Sequence, residues 1–162
     1  MLVLGRTLRA LYSKSMSVVT QKYAGRCHCG NIALDMEFTG EPGSFNPRSC
    51  DCDFCCKHAA SYVSDPRGKL VLKVKDAANL GKYRQGSGIA DFLVCRICGV
   101  LVGVCYQEHG QMYAAVNSKV VENGADFGAE TAVSPKKLND REKIQRWKKI
   151  WFADVSIETA GA

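Results

Sequence analysis

Hydrophobic and polar residues alternate over much of the chain between residues 23 and 120. In Asn31–Phe38 the apolar positions Ile32, Leu34, Met36 and Phe38 fall on every second residue, the period of a half-buried strand. Lys69–Lys75 repeats the pattern, with Leu70, Leu72 and Val74 inward and lysines outward. Asp91–Val94 and Val100–Tyr106 are apolar runs rich in β-branched residues on either side of a Cys-X-X-Cys-Gly turn. Glu108-His109-Gly110 then predicts a turn into Met112–Val116, which makes a hairpin. Gly40–Pro47, with its Gly, Pro, Ser and Asn, reads as loop. Apart from short turns, no helix is expected before residue 134, so the body is predicted to be mainly β and largely antiparallel.

The C-terminal segment changes character. Ser134-Pro135 suits an N-cap followed by proline in the first helical turn, and Leu138, Ile144, Trp147 and Trp151 line one side of the short helix this predicts. Seven basic residues (Lys136, Lys137, Arg141, Lys143, Arg146, Lys148 and Lys149) stand there against Asp140 and Glu142, a local excess that accounts for nearly all of the net charge of +6. Such a run serves either as a patch for an anionic partner or as a solvated helix face whose lysine stems cover the tryptophans. The second reading is preferred, because no base-reading motif accompanies the charge and nucleic acid is not the expected partner.

A chain of 162 residues suits one domain, taken as 21–158, and is long enough to bury a core without staples. No apolar run approaches the roughly 18–20 residues of a membrane span. Residues 1–20 carry Arg6, Arg9 and Lys14, several Ser and Thr, and no acid. They are read as a disordered leader, or with Met16 as the true start; the alternative is a mitochondrial transit peptide. The expected compartment is therefore the cytoplasm, or the mitochondrion under that alternative.

The nine cysteines carry the chemistry. Their odd number and their clustering as Cys-X-Cys and Cys-X-X-Cys point to metal ligation in a reducing compartment rather than to a disulfide framework. Cys27-His28-Cys29-Gly30 and Cys95-Arg-Ile-Cys98-Gly99 each end in a glycine, as a zinc knuckle requires. Together, Cys27, Cys29, Cys95 and Cys98 make a closed four-sulfur zinc site, structural in role, that ties the first strands to the central hairpin. The middle group, Cys50, Cys52 and Cys55, offers three sulfurs and a fourth position open to substrate, the pattern of a catalytic zinc. The competing reading completes that site with His58, His28 or Cys56 and makes it structural too. Two zinc ions per chain are expected. Cys56 is expected to point elsewhere, Cys105 to be a buried small hydrophobe, and His109 to be a turn residue.

At these residues the chain resembles the glutathione-dependent formaldehyde-activating enzyme family, which includes centromere protein V relatives. The matching pieces are Gly25-Arg-Cys-His-Cys-Gly-Asn-Ile32, Cys50-Asp-Cys-Asp-Phe-Cys-Cys-Lys57, Phe92-Leu-Val-Cys-Arg-Ile-Cys-Gly99 and Val116-Asn117. The resemblance implies an Mss4-like fold of antiparallel sheets joined by zinc knuckles. It places the structural zinc on Cys27, Cys29, Cys95 and Cys98 and the catalytic zinc on Cys50, Cys52 and Cys55. It also implies a carbon–sulfur lyase activity that joins a thiol such as glutathione to a small aldehyde, formaldehyde in the family's named reaction. Asp53 stands where the family often has serine, and Cys56 where a basic residue is common. Lys57 and basic residues of the tail are candidates to attract glutathione's carboxylates. The alternative function is a non-catalytic zinc module that binds chromatin or DNA through the basic tail.

Overall fold

The computed structural model describes residues 19–41, 43–122 and 126–160. Most of the expected leader, residues 1–18, thus lies outside the described residues. The elements are β1 (Thr20–Arg26), β2 (Ile32–Thr39), β3 (Arg48–Cys50), α1 (Asp53–Lys57), β4 (Ser61–Val63), β5 (Lys69–Val74), β6 (Leu80–Tyr83) and β7 (Asp91–Cys95). They continue with β8 (Leu101–Glu108), β9 (Gln111–Asn117), β10 (Thr131–Val133), α2 (Asp140–Ile150) and β11 (Asp154–Thr159). The protein is mainly β, with one substantial helix near its C-terminus.

Two sheets face each other. One has the order β1-β2-β5-β11, the other β10-β3-β4-β9-β8-β7-β6. The alternation in β2 and β5 predicts which residues face inward: Ile32, Leu34, Met36, Phe38, Leu70, Leu72 and Val74 are all buried in the layer between the sheets. The near-continuous apolar run of β8 has a different cause. Val102 and Cys105 join that inter-sheet core, while Leu101, Val104 and Tyr106 join a second core on the sheet's other face, beneath α2. A strand covered on both faces has no polar side to show. The molecule is therefore three layers: small sheet, large sheet and helix.

Most strand pairs are antiparallel, as expected, but β10 pairs with β3 and β11 with β5 in parallel. The C-terminal helix also begins later than the Ser134-Pro135 pattern predicts. Pro135–Lys137 forms only a 3-10 turn, and the Ser134 side chain caps nothing. Asn139 is the true N-cap, since its side chain accepts from Glu142 N (3.0 Å) while Glu142 Oε2 accepts from Asn139 N (2.9 Å). That reciprocal box satisfies two amide groups that a helix start otherwise leaves unpaired. Trp147 and Trp151 stack with ring centroids 4.8 Å apart and pack into the second core. After α2, Phe152 exchanges two backbone hydrogen bonds with Ala114, and the chain crosses to the small sheet as β11. The helix is thus anchored before its start by β10 and after its end by β11.

Candidate metal centres and an adjoining cavity

Each glycine-bearing knuckle is a tight turn built by local backbone bonds. Gly30 N donates to Cys27 O (3.0 Å) and Gly99 N to Cys95 O (2.8 Å), and both glycines sit at φ 74°. A Cβ at Gly99 would meet nothing within 4 Å, and one at Gly30 only ordinary contacts. Glycine is needed there for the left-handed backbone and not to clear an obstruction. The turns aim amides at sulfur: Ile32 N donates to Cys27 Sγ (3.3 Å), and the amides of Ile97 and Cys98 reach Cys95.

Strand pairing then brings the two knuckles together across 66 residues of chain. Cys29 Sγ lies 3.6 Å from Cys27 Sγ and 3.5 Å from Cys95 Sγ, and all four sulfurs of Cys27, Cys29, Cys95 and Cys98 fall within 4.8 Å of one another. Four sulfurs at about 2.3 Å from one zinc ion stand about 3.8 Å apart, so this set fits a tetrahedral ion. Burial pushes the Cys95 thiol up to about 12. Burial also raises Cys98, but amide donors at Cys29 and Val100 outweigh it and bring that thiol down to about 6. Such crowded sulfurs share negative charge well only around a cation.

The middle group is assembled differently. Cys50 ends β3, Cys52 is the N-cap of α1 with its sulfur accepting from Cys55 N (3.5 Å), and Cys55 lies within α1. The short helix turns three sulfurs to one point, again within 4.8 Å of one another. A hydrogen bond from Cys55 pulls Cys50 down to about 6 and correspondingly pushes Cys55 up. Around them, Tyr62 Oη stands 3.3 Å from Cys55 Sγ and Gln85 Nε2 donates to Cys52 Sγ (3.7 Å). These are contacts of the kind that orient metal ligands. This group too could hold a metal ion, consistent with zinc.

Among the described residues, neither His28, His58 nor Cys56 joins either sulfur group. His58 stacks on Phe54 (4.6 Å between centroids), and Cys56 is exposed with its thiol toward Cys50 O (3.7 Å). Cys105 is buried in the core and His109 holds φ 48° in the β8–β9 turn, both as expected.

The two sulfur groups differ in what adjoins them. Cys50, Cys52 and Cys55 all line a cavity of about 210 Å³, and none of Cys27, Cys29, Cys95 and Cys98 does. Phe92, Val104, Trp147 and Trp151 give this cavity an apolar side; Arg48, Lys136, Lys143 and Arg146 give it a cationic one. The tail reaches the thiol loop because β10 pairs with β3, with Val133 opposite Cys50 and Asp51 N donating to Val133 O (3.1 Å). Sequence reasoning placed these cations on a solvated face. The structure brings three of the seven to the cavity lining, Lys143 and Arg146 partly buried and Lys136 still exposed, while Lys148 pairs with Glu108. Lys57, expected to attract carboxylates, instead pairs with Asp53 (2.6 Å) and is absent from the cavity lining. Arg48, Tyr62 and Gln85 were not legible from sequence. Only Arg48, two residues before Cys50 and hence on the same face of β3, carried a usable signal.

The chain matches no protein-family model and no curated protein. Among solved structures it is similar to a Rhodobacter sphaeroides protein determined as a structural genomics target. The two are 27% identical with a TM-score of 0.51, over 68% of this chain and 99% of that one. No helix among the described residues is long and apolar enough to cross a membrane.

Proposed function

We propose that the protein is a zinc-dependent enzyme of the carbon–sulfur lyase type that makes or breaks adducts between a thiol and a small aldehyde. The observation that carries this reading is that all three sulfurs of one group line a cavity walled by aromatic and cationic side chains, whereas the other group meets only a more open hollow, and that through Cys98 alone. The likeness of the three cysteine motifs to the glutathione-dependent formaldehyde-activating enzymes supports the same assignment. In this reading Cys27, Cys29, Cys95 and Cys98 hold a structural ion that contributes folding energy. Cys50, Cys52 and Cys55 hold the reactive one.

Zinc at the latter group supplies Lewis acidity, which lowers a thiol's pKa and polarises a carbonyl. The chain's own residues do the rest. Gln85 and Tyr62 fix the orientation of Cys52 and Cys55 through the contacts described above. Phe92, Trp147 and Trp151 keep water from one side of the reacting groups. In the synthetic direction the thiol sulfur attacks the aldehyde carbon. A carbon–sulfur bond forms, the carbonyl π bond opens, and the thiol's proton ends on the new hydroxyl, with no change of oxidation state overall.

Exchange NMR of the zinc-loaded protein with glutathione and formaldehyde tests the proposal. Adduct exchange is expected to accelerate, and Cys52→Ser to abolish the effect while lowering zinc from two ions per chain to one by elemental analysis. Unchanged exchange rates with two zincs bound would overturn it. The partner-binding alternative draws less support, because Lys143 and Arg146 line the cavity and Lys136, though exposed, is paired with Asp51 beside it.

A further inference from the structure

Two of the four cavity cations already have acidic neighbours. Lys136 pairs with Asp51 (3.1 Å), and Lys143 pairs with Asp140 (3.3 Å). Arg48 and Arg146 do not: among the described residues, no carboxylate forms an ion pair with either. Among the described residues, no Asp or Glu lines the cavity. Arg48 Nη2 donates only to a neutral group, Ser64 Oγ (2.6 Å), which in turn donates to Ile150 O (2.5 Å). This chain locks the guanidinium between β3 and the end of α2. Two like charges on one partly enclosed wall repel each other and lose hydration, and among the described residues only the neighbouring thiol group, through Cys50, offsets any of that cost.

We infer that Arg48 and Arg146 form an oxyanion subsite, and that the ligand drawn to the three-cysteine group is a small thiol bearing one anionic group. This rests on the reading of Cys50, Cys52 and Cys55 given above and specifies the substrate class for it. The planar guanidinium fork matches a carboxylate in geometry and stays charged in a partly apolar site. Charge balance fixes the count. Three thiolates around a divalent ion carry one net negative charge, so two guanidiniums leave one positive charge for the ligand. Size sets how much of the ligand is enclosed: about 210 Å³ lies below the roughly 300–1,000 Å³ of pockets that enclose drug-sized molecules, so the cavity takes the thiol and one anionic arm, and a longer thiol such as glutathione would leave its remainder in solvent. The stacked tryptophans line the same cavity and offer an apolar surface for a short methylene chain.

The chain's only two tryptophans, Trp147 and Trp151, both line this cavity, so intrinsic fluorescence reports its occupancy directly. The zinc-loaded protein would be titrated with 3-mercaptopropionate, cysteamine and propionate. The acidic thiol is expected to bind at least tenfold more tightly than the cationic one, about the weight of one charge-assisted hydrogen bond. Arg146→Gln should erase that preference and Arg146→Lys should keep most of it; Arg48→Gln is the second variant where it folds. Equal affinity for the two thiols, or a preference that survives Arg146→Gln, overturns the subsite. If both thiols bind alike but better than propionate, the thiol reading stands and the subsite falls. If propionate binds as tightly as 3-mercaptopropionate and depends on Arg146, the subsite stands and the thiol reading falls.

Discussion

Removing the exposed half of the four-sulfur group should cost the protein much of its stability without disturbing its core. In the double variant Cys29→Ser, Cys98→Ser the altered residues are exposed and half-buried, whereas Cys27 and Cys95, both 0% exposed, keep their packing. What is lost is the clip between knuckles 66 residues apart. Closing a loop of that length contributes about 4 kcal/mol of chain entropy on the cross-link model. Domains of this size have roughly 5–15 kcal/mol of net stability, and each kcal/mol moves the midpoint by about 2–4 °C. The expected drop in Tm is therefore about 10 °C or more, read by circular dichroism with zinc present. A strong chelator should lower the wild-type Tm at least as far and leave the variant's nearly unchanged. A Tm within about 3 °C of wild type would refute the frame role given to this group. So would an equal loss in the matched variant Cys50→Ser, Cys52→Ser, because those two residues sit only two apart and close almost no loop.

Other outcomes follow from the same geometry. Tyr62→Phe keeps the buried ring but removes the hydroxyl 3.3 Å from Cys55 Sγ. The second zinc should bind about tenfold more weakly or worse in a competitive chelator titration, with Tm little changed. Trp151→Ala deletes a side chain that is 5% exposed and stacked on Trp147. It should destabilise by about 3–5 kcal/mol in urea unfolding, and it opens the wall of the cavity as well. Asn139→Ala removes one half of the capping box of α2 and should cost about 1 kcal/mol by the same assay.

Much of the sheet structure was legible because its signals are local. The period-two runs of β2 and β5 identify their own buried faces, and β8 and β9 are separated by a turn short enough to read directly. The start of α2 was misplaced because Ser134-Pro135 carries a strong N-terminal signature that the chain spends on a single 3-10 turn. The Asn-X-X-Glu box at Asn139 was present in the sequence and is the better guide. β11 escaped notice for another reason. Asp154–Thr159 is a half-buried edge strand with an irregular in–out pattern, and its parallel partner β5 lies some 80 residues earlier, so no local signal marks it.

The sequence by itself determined the two groups of sulfurs that could hold metal. A Cys-X-Cys or Cys-X-X-Cys spacing fixes how far apart two sulfurs can be, and the glycine after each knuckle supplies the left-handed turn whatever surrounds it. Only the tertiary structure decided that all three sulfurs of the middle group line one cavity, and that Arg48 and Arg146, rather than Lys57, stand beside them there. The physical reason is the anchoring of α2. Parallel pairing at β10 and β11 fixes both of its flanks to distant strands, and the helix laid between them turns residues that read as solvated charge toward the thiols. That placement is a sum of long-range contacts, which no spacing along the chain encodes.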